Sequence, residues 1–153
     1  MKEIITISGR EVELENGAAW YMEYKDQFGR DILPALMPFF TAIVETVSTI
    51  VSESGKTELG FQEIADAVNG RAMEMLLPLY SAEITDYAIN ITWAMAKAAN
   101  PDIDPPKKWV RQFETYPLDE VVPAVLRLAL NGSVSSKNLA RLESIKTKLP
   151  LQP

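Results

Sequence analysis

At 153 residues, with 47% hydrophobic and 24% charged residues, the chain matches one folded domain with a real core and not a disordered segment. It has no Cys and no His, which excludes disulfides, thiolate and imidazole metal sites, Cys nucleophiles, Ser-His-Asp triads and a histidine pH switch. Its 21 acids against 15 bases give a formal charge of −6, which argues against nucleic-acid binding.

Met1-Lys2-Glu3-Ile4 lacks the long apolar run of a secretory signal, so the expected location is the cytoplasm. Two glycosylation-type triplets, Asn90-Ile91-Thr92 and Asn131-Gly132-Ser133, then read as chance. The β-rich run Glu3 to Ser8 and the alternating Glu11-Val12-Glu13-Leu14 flank Gly9-Arg10, which predicts a two-stranded hairpin turning at those two residues. A lone hairpin is marginal, so it must dock on something.

Asn16 is a good N-cap and Gly29 a good C′ residue, and between them Trp20, Tyr24 and Phe28 recur at four-residue steps beside Tyr21. The reading is a first helix over 17–28 with its aromatic stripe in the core. A base-stacking platform fits poorly, because residues 1–30 carry four bases and six acids.

The second helix is the clearest element. Leu33, Leu36, Phe40, Ile43, Val47 and Ile50 fall at a and d of a heptad, with Met37, Val44 and Val51 at e. Pro38 either starts the regular helix or kinks it. The stretch 32–51 carries one charge, Glu45, and is the one membrane candidate. Its prolines, hydroxyl residues and striped pattern favour a buried helix, and no membrane partner is expected.

After a polar loop, 52–60, a third helix shows Phe61, Ile64, Ala65, Val68, Ala72, Met75 and Leu76 at helical spacing, with interruptions at Asn69-Gly70 and Pro78. A fourth carries Ile84, Tyr87, Ala88, Ile91, Met95 and Ala98 on one face. Its run from Tyr87 to Ala96 has no charge, so it should lie centrally, buried on more than one side. Asn100 to Pro106 ends it with a rigid connector, and a short amphipathic piece follows with Trp109 and Phe113. Pro117 opens a fifth helix along Val121, Val122, Val125 and Ala129, with Gly132 as its stop and Pro123 as an unresolved conflict. The fold class is therefore mainly α, about five helices with an N-terminal two-stranded hairpin, over 1–132. The tail, 133–153, holds four bases and one acid, and Leu139, Leu142, Ile145 and Leu149 lie three to four apart. It reads as a weak amphipathic helix or a loose arm.

Chemical motifs fail one by one. Ser54-Gly55-Lys56-Thr57 ends like a phosphate loop, but Ile50 stands where its first glycine belongs and a helix precedes it. Asp102-Ile103-Asp104 runs into Pro105-Pro106-Lys107 and lacks the third ligand and turn glycine of a calcium loop. Ser135 and Lys137 sit in a polar tail with nothing to desolvate the lysine, and Glu58 with Glu63 is an ordinary surface pair. No catalytic, cofactor or metal residue is nominated, and the chain is read as a non-enzyme.

The hairpin followed by Tyr24-Lys25-Asp26-Gln27-Phe28-Gly29-Arg30-Asp31, and later Trp109-Val110-Arg111-Gln112-Phe113 with Pro117-Leu118-Asp119-Glu120-Val121-Val122, together resemble the tail assembly chaperones of long-tailed bacteriophages and prophages of Gram-positive hosts. The likeness spans roughly 1–132. It implies a small helical protein, absent from the mature virion, that binds the tape-measure protein and keeps it soluble while tail-tube subunits assemble around it. In that family a longer frameshifted form is often made.

Such a chaperone needs a helical surface that takes amphipathic helices. The second helix supplies candidate partner-binding residues, Met37, Val44 and Val51 with Phe39 on the other flank, which either widen the stripe beyond one neighbour or meet a second core neighbour. A homo-oligomer is expected if they stay exposed. The alternative is a small cytoplasmic helical adaptor or regulator with another protein partner.

Overall fold

A computed structural model describes residues 1–55 and 59–133. The elements run β1 (Lys2–Ile7), β2 (Arg10–Glu15), α1 (Ala19–Phe28), α2 (Leu33–Ser54), α3 (Phe61–Gly70), α4 (Ala72–Leu76), a 3-10 turn (Leu77–Leu79), α5 (Ala82–Ala99), α6 (Pro106–Trp109), a second 3-10 turn (Val110–Gln112) and α7 (Leu118–Ser133). The class is mainly helical with an N-terminal hairpin, but the described residues hold seven α-helices, not about five. The expected third helix breaks after Gly70, where Arg71 leaves helical geometry (φ −115°, ψ 19°), and Pro78 converts its end into a 3-10 turn. The amphipathic piece after the connector adds α6. The basic tail beyond Ser133, with Ser135 and Lys137, lies outside the described residues, as do Lys56, Thr57 and Glu58.

The hairpin pairs Lys2 with Glu15 and Ile7 with Arg10 in antiparallel register. Its turn is Ser8-Gly9, one position earlier than expected. Both residues have positive φ (51° and 78°), as a type I′ turn requires. Ile7, Val12 and Leu14 point inward and are buried. Glu3 shares that face and forms a two-pronged ion pair with Arg127 of α7. The hairpin thus docks on α5 and α7.

α1 starts at Ala19, later than the predicted 17, and Asn16 does not cap it. Asn16 is buried instead, and its side-chain amide donates to the Leu128 carbonyl of α7 at 3.0 Å. Gly29 does end α1 in the left-handed region, its N–H reaching the Lys25 carbonyl at 2.8 Å. Trp20 and Tyr24 are buried, and Phe28 meets Trp93 edge-on, centroids 5.7 Å apart.

α5 is the axle. Ser81 caps it by accepting from the Ile84 N–H. It packs against α1, β2, α2, α6 and α7, and Ile91 to Ala96 are all buried. Absence of charge over this run is therefore the signature of a helix covered on every side. Thr92, its one buried polar residue in that run, donates to the Ala88 carbonyl. The connector is held by side chains: Trp93 Nε1 donates to the Asp104 carbonyl, Lys97 Nζ to the Pro101 carbonyl, and Asn100 Oδ1 accepts from the Asp102 N–H. Asp104 pairs with Lys108. The two aspartates thus belong to a stapled turn.

In α7, Pro123 forgoes one bond to the carbonyl four residues back, and its ring joins Ile43, Ile64, Val68 and Leu126 around an apolar crevice. α7 continues to Ser133, so Gly132 lies within its last turn and is not its stop. What requires a glycine there is the neighbouring chain: a Cβ would lie 2.1 Å from the Asn16 carbonyl oxygen.

Candidate functional site

α2 is the longest described helix, and its ends are well defined. The Asp31 carboxylate accepts from the Leu33 N–H at 3.2 Å, Pro34 sits in the first turn, and Gly55 closes the end with φ 68°. Pro38 falls inside the helix, which starts at Leu33 and runs through it. Gly55 of the failed phosphate-loop motif thus serves as a helix stop.

Over an 18-residue stretch α2 has a mean hydropathy of 1.5, yet only 28% of that stretch is buried. By length and composition alone it would suffice to cross a membrane. Three hydroxyl residues, Thr46, Ser48 and Thr49, donate back to the carbonyls of Ala42, Val44 and Glu45 at 2.8–3.0 Å. These donors are consumed inside the helix, so the exposed surface is less polar than the residue types suggest.

The buried arc consists of Ala35, Leu36, Phe39, Ala42 and Val47. This rotates the helix away from the expected a/d face. Leu33, assigned to the core by its spacing, is 54% exposed. Met37 and Val44 are 48% and 55% exposed, while Phe40 and Val51 are half-buried and touch the core with one side. Phe39 is a correction: at 1% exposure it is a core residue, packed near Ala88, Ile91, Val122 and Val125, and belongs to no outward surface. The signal that sequence reading passed over is the pair of alanines. Ala35 and Ala42 flank Phe39 at steps of four and three, and both are buried on the side of α2 that Phe39 turns to the core.

What remains outside is a ridge of Leu33, Met37 and Val44, with half-buried Phe40 and Val51 on the same line of the helix, at steps of four, three, four and seven. The other large exposed apolar residues, such as Ile4, Met22, Met73 and Leu77, are distributed over β1, α1, α4 and the first 3-10 turn.

Beside the ridge, α2 and the α4 region enclose an open groove of about 370 Å³ lined by Pro38, Thr41, Glu45, Thr49, Met75 and Leu79 among others. Its charged rim is Glu45, Glu74 and Arg71. Arg71 is held by Glu53 at 2.5 Å, and this contact lowers the Glu53 carboxyl from its ordinary range and raises the Arg71 guanidinium. Among the described residues no three or more acids converge as a metal would need. The geometry suits side-chain packing by a helix: a ridge, a flanking trench and a few charges at the edge. No family model, curated protein or solved structure matches the chain.

Proposed function

We propose that this protein is a non-enzymatic tail assembly chaperone of a long-tailed phage or prophage, which binds the tape-measure protein in the bacterial cytoplasm and keeps it soluble until tail-tube subunits enclose it. The observation that carries the reading is the ridge of Leu33, Met37, Phe40 and Val44 on a helix too apolar for its exposure. A tape-measure chain is a long succession of amphipathic helices whose apolar stripes are uncovered before assembly. A helical ridge with an adjoining half-polar groove matches such a stripe in shape and chemistry. The resemblance carried by 24–31 and 109–122 supports this client over an unrelated one.

Co-expression with the long coiled-coil tail protein encoded nearby tests it. The client should move into the soluble fraction and co-purify with this chain, and Met37→Glu or Val44→Glu should abolish that rescue. A client equally insoluble with and without the wild-type chain refutes the reading.

A further inference from the structure

We propose that residues 139–149 of this chain fold back as a helix onto the apolar crevice between α3 and α7, so that the basic tail straps these two helices together. The inference stands apart from the chaperone reading, which concerns the α2 ridge. The crevice, about 40 Å³, lies between Ala65 and Val68 of α3 and Pro123, Leu126 and Leu130 of α7, with Ile43 of α2 beside them. Ile43, Ala65 and Leu130 are only half-buried, so apolar surface stays in contact with water there. The one charged side chain lining it, Arg127, is already answered by Glu3.

The place where the chain leaves α7 singles out the occupant. Leu130 is the last α7 residue on the crevice, and Ser133, the last described residue, follows three positions later. A five-residue connector, 134–138, is an ordinary length between antiparallel helices. Asn138 is a favourable N-cap, and Leu139, Leu142, Ile145 and Leu149 follow at steps of three, three and four before Pro150. Eleven helical residues span roughly 16 Å, enough to cover the roughly 10 Å from Pro123 to Leu130 on α7. So short a tether holds the segment at roughly millimolar effective concentration. A free helix, a client or a second copy would have to exceed that to take this crevice.

Charge favours the same occupant. The described residues hold 19 acids and 10 bases, a net −9, whereas 134–153 hold four bases and one acid, a net +3. The two parts of the chain therefore attract each other, while second copies of the folded part repel. Acids also stand beside the crevice. Asp66 follows Ala65 on α3, Glu120 precedes Pro123 on α7 by one turn, and both are exposed. On a helix over 139–149, Arg141 and Lys148 fall on one flank of the apolar stripe, where long side chains can reach such acids.

Limited trypsin digestion of the full chain tests the proposal, with cleavage after Arg141 followed by mass spectrometry. The expected rate is at least about tenfold below that of a free peptide of residues 134–153, because cutting requires the segment to undock. Leu142→Glu should bring the rate up to that of the peptide, and so should Ala65→Glu in the crevice. If Ala65→Glu does not fold, Leu142→Glu decides alone, with circular dichroism of its helical body as the check. Val44→Glu, on the exposed ridge of α2, should leave the protection intact. A wild-type chain cut as fast as the peptide overturns the proposal, as does protection indifferent to Leu142→Glu. Protection lost with Val44→Glu overturns it by placing the segment on the ridge. Protection that fades on dilution from roughly 100 to 1 µM overturns it in favour of a second copy.

Discussion

Gly132 lies against the backbone of Asn16, so close that a Cβ at 132 would stand 2.1 Å from the Asn16 carbonyl oxygen. Four residues earlier on α7, the Leu128 carbonyl accepts from the Asn16 amide. One residue at the hairpin–α1 junction thus holds the last turn of α7 twice, once by a buried hydrogen bond and once by contact.

Gly132→Ala should destabilise the protein by about 2–4 kcal/mol, although alanine is the better helix former, because a backbone carbonyl cannot move aside cheaply. Asn16→Ala should cost about 1–3 kcal/mol by leaving the buried Asn16–Leu128 contact unmade. Urea unfolding measures both. The double variant should lose less than the sum, since either change already loosens the same contact.

This junction shows where sequence reading stops. Asn16 and Gly132 were both legible as helix-end residues from their local types, and both proved to be tertiary contacts 116 positions apart. Spacing reported α5 well because the run from Ile91 to Ala96 is buried on every side and leaves no rotation to choose there. α2 differs: it is apolar around most of its girth, so periodicity named the helix without saying which arc turns inward. Ala35 and Ala42 lie on the buried arc, and hydrophobicity patterns weigh alanine lightly. Met37 and Val44, for which spacing left open a widened stripe or a second core neighbour, are exposed. Leu33 and Phe39 exchanged places with what their spacing implied.

That rotation gives a direct stability contrast on one helix. Phe39→Ala should cost about 3–5 kcal/mol, the price of emptying a buried aromatic site between α2, α5 and α7. Val44→Ala should stay within about 0.5 kcal/mol, measured at protein concentrations low enough to keep any self-association out of the transition. Equal losses at the two positions would mean that α2 faces the other way.

Tyr116 is half-buried, with its hydroxyl enclosed near Thr92 but without a hydrogen bond of acceptable geometry. Burial raises its pKa above the ordinary 10.0. The sign follows: the fold holds the neutral phenol, so this contribution is intact below the unfolded value near 10 and is lost as pH rises above it. Tyr116→Phe removes an unsatisfied buried group and should leave stability at pH 7 unchanged or raise it by up to about 1 kcal/mol. It should also shift alkaline unfolding to higher pH, followed by circular dichroism from neutral pH upward. A variant that unfolds at lower pH than wild type would show that the hydroxyl makes a bond in solution.

The Glu3–Arg127 pair ties the first strand to the last described helix, with both side chains about two-thirds buried. Arg127 contacts the carboxylate through both terminal nitrogens, and the hydrogen bond to Glu3 raises the guanidinium pKa, with the Glu3 charge adding to it. A fork of two donors fixes the angle between β1 and α7 as well as their distance, which a single ammonium cannot do. Arg127→Lys should therefore cost about 1 kcal/mol despite preserving the charge, and Glu3→Gln a similar amount. In a double-mutant cycle the two changes should couple, because each removes the same bond pair. Additive losses in that cycle, or a lysine variant as stable as wild type, would show that the hairpin is held on α7 by Ile7 and Leu14 packing without help from this ion pair.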